Sequence, residues 1–176
     1  MEMRTLAGAR IIANELNANY DLARITGDKA FLKAGVGGRK ALMERKINEA
    51  PFIYSELTLL GPSGREICRV SDGKEKKAAA DYAKSSVFAE VKKTAVATGA
   101  VEYGEYTPPA LIMAGPVETG GDRPESYLIA RLSLAYLGEV VRLMGKDSSG
   151  NYGLLDAGGQ IIADSMNMST MKPGVR

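Results

Sequence analysis

The sequence predicts an α+β fold, in which a long N-terminal helix precedes an antiparallel sheet of about five strands with flanking helices. Three observations carry that expectation. Apolar residues recur at three- and four-residue steps from Leu6 to Ala23, the period of a helix that buries one face. Between Phe52 and Leu132, short runs rich in strand formers are separated by turn residues. Their order is two strands, a helix and three more strands, without the β-α-β alternation of a parallel doubly wound sheet.

The first helix reads from about Thr5 to Ile25, with Leu6, Ala9, Ile12, Leu16, Tyr20 and Ala23 on one side and Arg10, Glu15, Asp21 and Arg24 between them. Gly27 interrupts it, and Gly35-Val36-Gly37-Gly38 interrupts it again. A second helix is expected from Arg39 to Asn48, stopping before Pro51, whose ring disfavours helical geometry at Ala50. Residues 1–50 thus form a helical stalk. A hairpin follows: Phe52 to Leu60, a Pro62-Ser63-Gly64 turn, and a return from Glu66 to Ser71. The charged stretch Asp72 to Lys77 reads as a solvated loop.

Ser85 or Ser86 caps a helix that presents Val87, Phe88, Val91 and Ala95 on one face and ends at Gly99. Strands are expected at Val101–Tyr106, Ala110–Val117 and Ser126–Leu132, the last two separated by Gly120-Gly121-Asp122. Ser133 caps a final helix with Leu134, Leu137, Val140, Val141 and Leu143 inward, closed by Gly145. A second hairpin then reads Leu154-Leu155-Asp156-Ala157-Gly158-Gly159-Gln160-Ile161-Ile162, echoing Leu59-Leu60-Gly61-Pro62-Ser63-Gly64-Arg65-Glu66-Ile67. The echo implies two copies of one module that opens on a hairpin, a first over 51–134 and a second that has only begun within 135–165, followed by a loose tail at 166–176.

Composition narrows the function. The 176 residues carry 45% apolar and 25% charged side chains, with a formal charge of +2. That balance gives no electrostatic reason to expect nucleic acid. There is no histidine and one cysteine, Cys68, which removes histidine triads, most zinc chemistry and any intrachain disulfide. Cys68 reads as a small buried hydrophobe. No apolar run approaches the ~20 residues of a membrane span, and an amphipathic N-terminus with Arg4 and Arg10 is not a signal peptide.

The segment order is that of a PAS-like module, and the residues resemble a family. Phe52-Ile53-Tyr54-Ser55-Glu56-Leu57-Thr58-Leu59-Leu60 with Gly64-Arg65-Glu66-Ile67-Cys68-Arg69-Val70-Ser71 resembles the opening hairpin of extracytoplasmic Cache sensor domains. Tyr103-Gly104-Glu105-Tyr106, Ala110 to Val117 and Tyr127 to Leu134 resemble the later strands and exit helix, and Tyr152 to Asp164 is similar to the start of the second module in double Cache receptors. The resemblance implies the extracytoplasmic, periplasmic or extracellular, ligand-binding region of a membrane-anchored histidine kinase, diguanylate cyclase or chemoreceptor. It also implies a homodimer joined through the N-terminal helix. One departure is plain: the amino-acid-sensing subgroup carries an Arg-x-Trp-Tyr signature after the first hairpin, whereas this chain reads Arg69-Val70-Ser71-Asp72 and has no tryptophan.

Four residues are candidates for ligand binding. Arg69 on the return strand either clamps a carboxylate through paired N–H donors or sits as a surface cap. Tyr103 and Tyr106 either line a pocket or pack in the core with the hydroxyl reaching solvent. Tyr82 lies in the loop between hairpin and helix, where a lid is expected. Gly35-Val36-Gly37-Gly38-Arg39-Lys40 lacks the full phosphate-loop pattern and does not follow a strand, so it reads as a helix break. No nucleophile–base pair and no paired carboxylates on one helical face are present, so the expectation is a non-enzymatic sensor of a small polar molecule such as a carboxylate, without a cofactor. The alternative is a structural or dimerisation spacer with no ligand.

Overall fold

The computed structural model describes residues 22–71, 74–76, 81–94, 96–103, 108–117, 124–146, 152–155 and 158–165. The chain divides into two compact units, one of residues 21–100 and 111–132, the other of residues 1–20, 101–110 and 133–176. The first unit holds three helices before the sheet. Most of the expected N-terminal helix lies outside the described residues, and its end is helix α1, Leu22–Thr26. Gly27 closes it, donating to the Ala23 carbonyl at 2.8 Å. Asp28 then caps α2, Lys29–Lys33, its carboxylate accepting from the Ala30 and Phe31 amides.

Helix α3 runs Val36–Glu49, which corrects the expectation that the glycine cluster is a break before Arg39. The chain leaves the helical region at Ala34 instead, and Gly37 and Gly38 sit in the first turn of α3. A glycine near a helix end costs at most about 1 kcal/mol, and at Gly38 a β-carbon would come within 2.9 Å of Ala34. Starting early turns Arg39 inward, where it is 4% exposed. Its Nε and Nη2 donate to the Phe31 and Leu32 carbonyls at 3.1 and 3.2 Å, at the C-terminus of α2, and its Nη1 reaches the Ser126 hydroxyl at 3.3 Å.

Strands β1 (Tyr54–Leu60), β2 (Glu66–Ser71), β3 (Lys74–Lys76), β4 (Ala97–Glu102), β5 (Ala110–Val117) and β6 (Ser126–Ser133) form one sheet in the order β3-β2-β1-β6-β5-β4. β1 pairs antiparallel with β2 on one side and β6 on the other. Strand β3 falls in the expected charged loop and corrects it: at a sheet edge only one side of the backbone must be paired, so a charged segment is tolerated. Helix α3 packs on β1 and β2, with Met43 and Ile47 buried. Cys68 is buried as expected.

The other sheet face is covered by α4, Ser86–Val91, capped by the Ser85 hydroxyl. There Val87, Phe88 and Val91 meet Leu60, Ala97, Ala114, Tyr127 and Ile129 in one apolar cluster, with Phe88 and Tyr127 edge to face at 5.1 Å. The helix does not reach Gly99 as expected. The Thr94 hydroxyl bonds the Glu90 and Val96 carbonyls, and the β-branched segment beyond enters β4 from Ala97, ahead of the expected start at Val101.

In the second unit Ser133 caps α5, Ala135–Lys146, which buries Leu137, Gly138 and Val141. Leu143, expected inward, is 54% exposed, because two residues past Val141 is about 200° around the helix. Helix α5 packs on β8 of a hairpin formed by β7, Gly153–Leu155, and β8, Ile161–Asp164. This hairpin repeats β1–β2 in backbone detail. Gly64 and Gly159, at matching places in the two turns, have φ of +86° and +79°. Leu60 pairs with Glu66 and Leu155 with Ile161, each next to the same irregularity in register.

The two turn glycines should nevertheless respond differently to alanine. At Gly159 nothing lies within 4 Å of the position a β-carbon would take, whereas at Gly64 one would come 2.7 Å from Phe88 and 2.8 Å from Ala83. Gly159→Ala should therefore cost about 1 kcal/mol of backbone strain, and Gly64→Ala about 3 kcal/mol through strain plus overpacking. Urea unfolding of both variants measures the difference.

Candidate functional site

Side chains of a regular strand alternate between faces, so residues three apart point to opposite sides. Glu66 and Arg69 break that rule. Leu59 pairs with Cys68 and Leu60 with Glu66, so β2 carries an extra residue, Ile67, which is turned outward and exposed. The bulge brings Glu66 to the same side as Arg69. Arg69 Nη2 donates to Glu66 Oε2, and Arg69 Nε lies 3.7 Å from Glu56 Oε1, beyond hydrogen-bond reach. The Glu66 side chain is 1% exposed, and those of Arg69 and Glu56 are 20% exposed.

Thr58 stands directly opposite Arg69 across β1–β2 and opposite Ile129 across β1–β6. Its hydroxyl donates to Glu56 Oε1 at 3.5 Å. Glu56, Thr58, Glu66 and Arg69 thus make a polar row beside the apolar cluster under α4. Tyr82 joins this row. Its amide donates to the Gly64 carbonyl at 3.0 Å, its own carbonyl accepts from Ser85, and Asp81 bridges to Arg65 and accepts from Ala83. The Tyr82 ring packs on the apolar cluster, and its phenol shares a hydrogen bond with Thr58.

Burial pushes the Tyr82 phenol above the ordinary value of 10.0; Arg69 pulls the other way, while Glu56 and Glu66 add to the rise. For Arg69, burial acts against the charge, but the Glu66 hydrogen bond together with Glu56, Tyr82 and the Glu66 charge outweighs it and raises the guanidinium pKa. Arg69 therefore stays a cation at every physiological pH.

Arg69 and Tyr82 are brought together, as neighbours of one row. Tyr103 follows β4, is half-buried and belongs to the other compact unit; Tyr106 lies outside the described residues. Glu56, Thr58 and Glu66 were not anticipated. Glu56 and Thr58 share the alternation of β1 with Leu60 and were legible in principle, but Glu66 needed knowledge of the bulge. Arg39, in the glycine-rich motif, is occupied by the Phe31 and Leu32 carbonyls, the Ser126 hydroxyl and the Glu125 carboxylate, the last at 3.2 Å. Among the described residues no group of His, Cys, Asp or Glu side chains is placed to hold a metal ion, and no helix is long and apolar enough to cross a membrane.

No family model matches the sequence, and no curated protein does. Solved structures do. The sensory domain of a Campylobacter jejuni chemoreceptor superposes with a TM-score of 0.73 at 12% identity, over 99% of this chain and 73% of that one. The ligand-binding domain of a Pseudomonas fluorescens chemoreceptor, in complex with L-serine, gives 0.63 at 14% identity over 92% and 69%. The extracellular domain of a histidine kinase gives 0.63 at 14% identity over 78% of this chain and 57% of that one. The chain thus spans a little over half of the kinase domain it matches. The fold is that of Cache-like sensory domains.

Two outcomes follow from the polar row. Arg69→Ala removes the cationic partner of a buried carboxylate and should cost about 3 kcal/mol in urea unfolding, and the pair Arg69→Met with Glu66→Leu should recover most of that loss. Tyr82 has a raised pKa in the folded state, so the folded chain holds its proton where the unfolded chain has released it. Its contribution is complete below pH 10.0 and is lost as pH rises through the folded value. Phenolate absorbance should show Tyr82 titrating late, and Tyr82→Phe should remove that late component and flatten the alkaline fall in stability.

Proposed function

We propose that this chain is the ligand-sensing region of an extracytoplasmic receptor, and that a small polar molecule carrying a carboxylate binds on the α4 face of the β1–β2 hairpin. The observation that carries this reading is the Glu56–Thr58–Arg69–Tyr82 row, a charged, partly exposed strip beside the apolar cluster under α4. Arg69 Nη1, which takes no part in the Glu66 ion pair, would donate to the ligand carboxylate. Glu56 would accept from a donor on the ligand, and the Tyr82 ring would wall the site.

Support also comes from the neighbours in fold. The Campylobacter jejuni domain has been solved with isoleucine bound and the Pseudomonas fluorescens domain with L-serine, ligands that carry a carboxylate. The repeated hairpin supports a second module beginning within 135–165, after a first over 51–134 and a helical stalk over 1–50. In the parent protein the stalk would join the homodimer and lead to a membrane anchor. Ligand would shift the arrangement of sheet and helices only by its difference in affinity for the two states.

The test is a thermal-shift screen of organic acids and amino acids. A ligand at a hundredfold excess over Kd adds about 2.7 kcal/mol and should raise the midpoint by roughly 2–4 °C. Arg69→Lys keeps a cation against Glu66 but loses the forked donors, so it should fold normally and lose the shift. A flat screen, or a shift unchanged in Arg69→Lys, rules out this reading of the site.

A further inference from the structure

Helices α1, α2 and α3 enclose a cleft of about 130 Å³, separate from the polar row on the sheet. One wall is a single face of α3, with Leu42, Arg45, Lys46 and Glu49 at helical spacing. The floor is apolar, made by Phe31 and Ile25, which are 1% and 8% exposed. Two carboxylates stand at the mouth: Asp28 Oδ1 caps α2 by accepting from the Ala30 and Phe31 amides, and Glu49 pairs with Arg45 at 3.6 Å.

The other two charges at the mouth are cations. Arg24 and Lys46 line the same cleft, and among the described residues neither has a carboxylate partner. The Lys46 ammonium instead stands 5.7 Å from the centre of the Tyr54 ring. Counted over the described lining residues, Arg24, Arg45 and Lys46 against Asp28 and Glu49, the opening carries a net charge of +1 above an apolar floor. An apolar cavity of about 150 Å³ accepts a benzene ring, so this one has room for a body of about that size.

We infer that this cleft is a second binding site, for a small monocarboxylate with a compact apolar body. The apolar part enters between Leu42, Phe31 and Ile25, and the carboxylate stays at the mouth with Arg24 and Lys46. A neutral analogue keeps the burial and loses the charge contacts. An ammonium in place of the carboxylate meets like charge.

Benzoate is the probe, titrated calorimetrically into the whole chain at low ionic strength, with benzyl alcohol and benzylamine as controls. Saturable benzoate binding in the millimolar range or tighter is expected, stronger than either control. Arg24→Gln with Lys46→Gln should weaken benzoate roughly tenfold, since each exposed charge contributes modestly. Leu42→Trp should fill the cleft and abolish binding, and the glutamine pair, confined to the rim, decides the matter should the tryptophan variant not fold. Arg69→Lys should leave benzoate affinity unchanged. Absence of saturable binding, equal binding in the glutamine pair, or loss of binding in Arg69→Lys overturns the inference.

Discussion

A single extra residue in β2 sets the chemistry of the α4 face. In an unbroken ladder Glu66 would point away from Arg69. The bulge sends Ile67 out to solvent and turns Glu66 under the sheet, where its side chain is nearly inaccessible and Arg69 neutralises it. The Gly64 turn next to it allows the left-handed backbone that closes the hairpin and leaves the space into which Ala83 and Phe88 approach. That approach lets the Gly64 carbonyl hold the Tyr82 amide. One bulge and one turn thus place a carboxylate, a guanidinium and a phenol beside one another.

Charge in this strip is arranged for definition more than for stability. A carboxylate buried beside a guanidinium gains little over an apolar pair of the same volume, yet removing one member is costly. Desolvation of Arg69 is the largest single influence on it, but the neighbouring carboxylates and Tyr82 together exceed it, so the guanidinium remains a fixed donor. Arg39 shows the same logic on the helix side. Its guanidinium is satisfied by two helix-terminal carbonyls, the Ser126 hydroxyl and the Glu125 carboxylate, which ties the C-terminus of α2 to the start of β6.

The second hairpin separates backbone from chemistry. It repeats the positive-φ glycine and the register irregularity, and its preceding helix packs on the return strand as α3 does on β2. Its side chains do not repeat: Gly153 stands where Thr58 does, Ile161 where Glu66 does and Asp164 where Arg69 does. The backbone rules ask for a glycine at one turn position and apolar residues facing the helix, and leave the rest free. The same tolerance explains fold similarity to sensory domains at identities of 12–14%.

Local signals in the sequence determined the α+β class, the order of elements and the ends of β2 and β5, because turn glycines, strand formers and helix caps act over a few residues. They also determined that Cys68 is buried and that the two hairpins correspond. Decisions made over longer distances needed the folded chain. Helix α3 begins before Arg39 because Arg39 finds partners on α2, seven and eight residues back, and on β6, 87 residues away. Strand β3 exists because β2 offers an edge to a segment that alone reads as a loop. Helix α4 stops early because β5 supplies a partner for the residues after Val96. Arg69 and Tyr82 were legible as polar residues in suitable places, but the carboxylates that define their site were not. A bulge leaves no mark in the period of the sequence; its position is settled by how the strands pair, and that is a tertiary choice.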